Sequence, residues 1–77
     1  MNSIYIEKYT IDRITYDLAI YEVEGGMNGK WACGLCGRKG GPEAVSDSLA
    51  GAVGRVKGNL FAHHTQHLIG ELPGIAD

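Results

Sequence analysis

The chain has only two cysteines, two prolines, one tryptophan and one phenylalanine in its 77 residues. Two cysteines allow one disulfide at most, and they lie close together as Cys33-Gly34-Leu35-Cys36. Closing so small a loop removes little entropy from the unfolded chain, so a disulfide scaffold is excluded. No apolar run approaches the ~18 residues of a membrane-spanning helix. The opening residues Met1-Asn2-Ser3-Ile4-Tyr5-Ile6-Glu7-Lys8 lack the basic start, long apolar stretch and small-residue cleavage site of a secretory signal. A cytoplasmic location is therefore expected. A large charge of one sign is missing too: the net charge is −2, which gives no general attraction to nucleic acid.

What is present reads as one folded domain spanning residues 1–77. With 44% hydrophobic and 21% charged residues, disorder, collagen and coiled coil are excluded. A chain of 77 residues buries a small core, and domains of this size usually add a disulfide, a metal or a partner subunit. The charges are segregated: residues 1–24 sum to −3, residues 30–57 to +3 and residues 58–77 to −2. Lys30, Arg38, Lys39, Arg55 and Lys57 make a basic region within an acidic chain.

Residues 3–24 are rich in Ile, Tyr, Val and Thr, which predicts strands. Ile14, Tyr16, Leu18 and Ile20 alternate with Thr15 and Asp17, the pattern of a half-buried strand. A break near Ile11-Asp12-Arg13 divides the stretch, and Asn28-Gly29 is a dipeptide suited to a tight hairpin turn. A short return strand from Lys30 to Cys33 completes a three-stranded antiparallel meander. Gly37 to Pro42 reads as a flexible loop. Beyond it the apolar period changes to about 3.6. Val45, Leu49, Ala52, Val53, Val56 and Leu60 form one helical stripe, with His63 and His67 inside it and His64 at its edge. Pro73-Gly74 is the expected terminator. The fold class is therefore α+β: a small antiparallel sheet, a Cys-x-x-Cys knuckle and one long C-terminal helix.

The opposite side of that helix carries Ala50, Gly54 and Gly58, followed by Phe61, Thr65 and Leu68. Each interior glycine costs about 1 kcal/mol relative to alanine. The face is either a wet side of a poor helix or a close-packing surface for a homodimer.

Cys33 and Cys36 present two thiolates to one ion, and the glycine after them, Gly37, lets the turn aim backbone amides at sulfur. His63 and His67, at i and i+4, are neighbours on one helical face. Thiolate plus imidazole is the donor set of Zn²⁺, whereas Mg²⁺ and Ca²⁺ prefer oxygen. His64 is an alternative ligand or a solvated neighbour. Two reduced cysteines beside a His-rich helix end without an ion, or a redox dithiol, are the competing readings. The dithiol's usual setting, a βαβ unit with the first Cys at a helix N-terminus, is not visible.

An aromatic residue, Trp31, precedes Cys33, Cys36, His63 and His67 in an order that resembles the C2H2 zinc finger over residues 28–68. The resemblance implies a hairpin and helix with zinc between them, and Trp31 covering the site. The spacer departs from the family: 26 residues separate Cys36 from His63, against about 12 in the family, so recognition of nucleic acid by the helix face does not carry over. The spacer also constrains the helix. Starting at Pro42, it would place His63 about 32 Å along, against the ~20 Å reach of the six links back to Cys36, a gap that side chains and metal barely close at full stretch. Either the helix starts late, with Ser46 or Asp47 as N-cap, or it bends near Gly51, Gly54 and Gly58.

Four protein ligands fill a zinc shell and leave no position for a reacting water. The carboxylates Asp12, Asp17, Glu22 and Glu24 lie at polar or terminal strand positions and read as solvated. The expected function is a non-catalytic, zinc-stabilised interaction module with a protein partner, a homodimer being one form of it, and without membrane association. The alternatives are a small nucleic-acid-binding regulator using region 30–57 and its tyrosines, and a dithiol or metal-dependent enzyme.

Overall fold

The computed structural model describes residues 3–70. Its elements are β1 (Ser3–Ile11), β2 (Ile14–Val23), β3 (Gly26–Cys33), β4 (Lys39–Gly40) and helix α1 (Leu49–Leu68). The strands form one antiparallel sheet in chain order. The α+β class and the single helix after the sheet match the sequence reading. The added strand comes from the segment read as a flexible loop. It folds back along β3, pairing Gly40 with Trp31 and Lys39 with Ala32.

β1 and β2 join through Asp12 and Arg13, at the expected break. Both have positive φ, 50° and 69°, the signature of a type I′ turn whose twist suits a hairpin. The second hairpin does not turn at Asn28-Gly29. It turns at Glu24-Gly25, where Val23 pairs with Gly26 and Gly25 takes φ +90°. β3 therefore starts at Gly26 rather than Lys30. Gly29 serves packing instead: a Cβ there would lie 2.5 Å from Ile20 Cδ1 and 2.6 Å from Val56 Cγ2.

Period-two alternation puts Ile14, Tyr16, Leu18 and Ile20 on one face with Trp31 and Cys33, all buried. The helix covers that face with Ala52, Val56 and Leu60, packing over β2 and β3. Burial of Val56 and Leu60 contributes about 1.5–3 kcal/mol each. Val45 and Leu49, expected in the stripe, are exposed; Val45 precedes the helix and does not share its period.

The helix starts late, the first of the two outcomes that reach allows, but its cap is Ser48 rather than Ser46 or Asp47. Ser48 is extended and its Oγ accepts the Gly51 N–H at 3.0 Å. Ser46 is held elsewhere, by two backbone hydrogen bonds to Met27 of 2.7 and 2.8 Å. At the other end Gly70 takes φ +82° and donates its N–H to the His67 carbonyl at 3.2 Å, so the helix closes before Pro73-Gly74, which lies outside the described residues. Gly54 and Gly58 open outward, with nothing within 4 Å of an added Cβ, and Phe61 and Leu68 on that side are exposed. No helix among the described residues is long and apolar enough to cross a membrane.

Candidate metal centre

Cys33 is the last residue of β3 and points to the helix-covered face. The chain then turns tightly: the Gly37 N–H donates to the Cys33 carbonyl at 3.0 Å, and the Cys33 N–H donates to the Arg38 carbonyl at 2.7 Å. Gly37 permits this by taking φ +81°. Its amide is thus directed at the Cys33 carbonyl, not at sulfur as the sequence suggested. The turn returns Cys36 to the same end of the sheet, where α1 delivers His63 and His67 one turn apart. Both thiols are free.

The sulfur and ring-nitrogen ligand atoms of Cys33, Cys36, His63 and His67 all lie within 4.8 Å of one another. Cys33 Sγ is 3.7 Å from His67 Nε2, Cys36 Sγ is 3.4 Å from His63 Nε2, and the two Nε2 atoms are 3.1 Å apart. A tetrahedral zinc with sulfur at about 2.3 Å and nitrogen at about 2.0 Å has S···N edges of about 3.5 Å and an N···N edge of about 3.3 Å. The two S···N contacts bracket the first value and the N···N contact is slightly shorter than the second, so the four side chains can hold a metal ion.

The surroundings favour ligating forms. Burial is the main cause that holds the His63 imidazole below its ordinary pKa, with His67, Arg38 and His64 adding to it, so His63 is neutral at pH 7. His67 is buried, and its Nδ1 has no hydrogen-bond partner. Its polar capacity is therefore directed through Nε2 into the cluster. Two imidazole nitrogens and two sulfurs converging in a buried space need a shared proton or a cation to offset their desolvation. Trp31 covers the cluster as expected: its ring centroid is 4.9 Å from that of His63, and its Nε1–H donates to Asn59 Oδ1 at 2.8 Å.

His64 is neither a member of the cluster nor solvated. It is fully buried, with Nδ1 2.9 Å from the Tyr16 hydroxyl and Nε2 2.8 Å from Asp12 Oδ2. A carboxylate only accepts, so Nε2–H donates to Asp12 while Nδ1 pairs with the Tyr16 hydroxyl, and both ring nitrogens are satisfied. Phe61 stacks on its outer side at 6.0 Å. Asp12, read as merely solvated, is half in water at 56% side-chain exposure and still completes this chain. Nothing local in the sequence signals it, since the partners are 48 and 52 residues from His64. Burial drives the Tyr16 hydroxyl pKa upward, with negative charge at Cys33 next in importance, so the phenol stays protonated.

The basic region 30–57 is divided. Lys57 is 3.1 Å from Glu7 Oε2 and 4.4 Å from the Tyr9 ring centroid on the helix side. Lys30 and Lys39 lie on the opposite face of the sheet. No family model, curated protein or solved structure matches this chain.

Proposed function

We propose that this chain is a small zinc-binding domain in which Cys33, Cys36, His63 and His67 hold a structural ion, and that its role is non-catalytic binding through a surface. The observation that carries the reading is the convergence of two sulfurs and two imidazole nitrogens within 4.8 Å of one another, with S···N contacts of 3.4 and 3.7 Å and an N···N contact of 3.1 Å. The donor chemistry favours Zn²⁺ over oxygen-preferring cations. The ligand order and Trp31 keep the resemblance to C2H2 zinc fingers, on a larger sheet and a longer spacer.

The structural role follows from position. An ion at this site ties the end of β3 and the knuckle to the last turns of α1, adding to the apolar contact that Ala52, Val56 and Leu60 make with the sheet. Four protein ligands close the shell, which supports the non-catalytic reading.

Native electrospray mass spectrometry of protein purified without chelator or a histidine-rich tag tests this. One zinc per chain, lost on acidification together with folded charge states, is the expected result. A bare chain that does not take up added Zn²⁺ would sink the metal reading and leave a dithiol or a plain core.

A further inference from the structure

The face of the sheet opposite α1 carries no covering element among the described residues, and we infer that it binds single-stranded nucleic acid. The face forms an open trough of about 700 Å³. Its floor is Ile6 and Ala19, paired across β1 and β2, with Ala32 of β3 diagonal to Ala19 and paired with Asp17. Ile6 is 71% exposed. The small side chains of Ala19 and Ala32 leave the hollow, and Tyr21 stands at one end of it.

The charge on this face is one-sided. Lys8, Lys30 and Lys39 line the trough against a single carboxylate, Asp17, in a chain whose net charge is −2. Asp17 is itself held by Lys8 at 2.6 Å. The acidic residues of the second hairpin's turn and of the helix side, Glu24 and Glu7, do not line it. Such a face is not self-complementary, because a second copy would set lysines against lysines. An uncharged protein surface would desolvate the Lys30 and Lys39 ammonium groups without compensation. A polyanion answers the charge, and the apolar floor with an aromatic end asks for planar, partly apolar groups along that polyanion. Single-stranded nucleic acid supplies both: phosphates for the lysines and bases for Tyr21 and the floor. The Lys30 ammonium now sits 5.6 Å from the Tyr21 ring centroid. Moving it to a phosphate would free that ring face for a base.

This goes beyond the metal reading and does not depend on it, since none of the four cluster residues lines the trough. The test is fluorescence anisotropy with labelled 12-nucleotide oligo(dT) and oligo(rU) at ~50 and ~200 mM salt, with zinc content and near-UV spectra recorded in parallel. Three phosphate contacts to a single strand predict roughly 20-fold weaker binding across that salt range. K8Q/K30Q/K39Q should lose most of the affinity and lower the log–log salt slope by about 2. Tyr21→Leu should weaken binding about 5-fold or more at unchanged slope, with Tyr21→Phe restoring it. The inference fails if the folded protein shows no salt-sensitive binding at ~50 mM salt. Triple-variant affinity equal to the native chain also overturns it, since the site would then lie elsewhere. So does a polyglutamate of equal charge binding as tightly as the oligonucleotide, which would mark the face as one for acidic peptides.

Discussion

The Tyr16 hydroxyl lies 2.9 Å from His64 Nδ1, and through that contact the centre of the sheet is joined to a helix residue immediately after a cluster ligand. On the far side His64 reaches Asp12 in the first hairpin turn. The chain Tyr16–His64–Asp12 thus fixes the azimuth of α1, and with it the direction in which His63 and His67 project. Tyr16→Phe removes one partner and leaves the buried His64 Nδ1 unmet, which should cost about 1–3 kcal/mol in denaturant unfolding. Its ion stoichiometry should stay at one, because Tyr16 is not a ligand. An unchanged midpoint would show that the bond contributes nothing net.

The same geometry separates three neighbouring histidines. His64→Ala should destabilise the domain through a cavity and two orphaned partners, yet still bind one zinc per chain. His63→Ala and His67→Ala should each lose the ion or hold it far more weakly. Metal counting by native mass spectrometry distinguishes them, and loss of zinc in His64→Ala with retention in His63→Ala would reverse the assignment.

Removing the ion tests its structural role directly. Metal binding in small zinc domains supplies an apparent ~10–16 kcal/mol, comparable with the net stability of a whole domain. Chelator, or paired Cys33→Ser and Cys36→Ser, should therefore abolish cooperative thermal melting at neutral pH, followed by circular dichroism. A double variant that melts like the native chain would show that the ion is dispensable.

Most of the sheet and the four cluster residues were legible because they rest on local signals. Alternation marks β2, and both Cys-x-x-Cys and His-x-x-x-His are short-range spacings. Reach alone narrowed the helix to a late start or a bend. The cap was not legible, because three polar residues in a row, Ser46, Asp47 and Ser48, all suit an N-cap. The bridge to Met27, far off in the sequence, takes Ser46 out of contention. Asn28-Gly29 misled for a related reason. Its turn propensity is genuine, but the core needs a residue without a Cβ opposite Ile20 and Val56, and tertiary packing overrides the local preference. His64 sat at the stripe's edge, where helical phase alone does not distinguish a wet residue from a buried one.

The glycines divide into two kinds with opposite expected responses. Gly29→Ala would push a methyl into Ile20 and Val56 at 2.5–2.6 Å, and overpacking of this kind costs about 1–3 kcal/mol. Gly54→Ala and Gly58→Ala meet nothing within 4 Å, so each should stabilise the monomer by about 1 kcal/mol through helix propensity. Thermal melts of the three variants check this. Destabilisation by Gly54→Ala that grows with protein concentration would instead reveal a close helix–helix contact between copies.

Glu7 gives a pH dependence whose sign is fixed by its contacts. It accepts the Tyr5 hydroxyl at 2.8 Å and lies 3.1 Å from Lys57 Nζ. These bonds, the Tyr5 one first, hold its carboxyl below the usual 4.5. The ionised form is therefore favoured in the folded state. That contribution is fully present above the ordinary pKa of 4.5 and is lost as pH falls through the lower folded value. Zinc release also destabilises the domain in acid, so the informative quantity is the difference between the native chain and Glu7→Gln at matched metal load. The two stability curves should be separated at pH 6–7 and converge below pH 4.5. Parallel curves across that window would mean that Glu7 titrates alike in the folded and unfolded states, and that its link from β1 to Lys57 on α1 carries no net stabilisation.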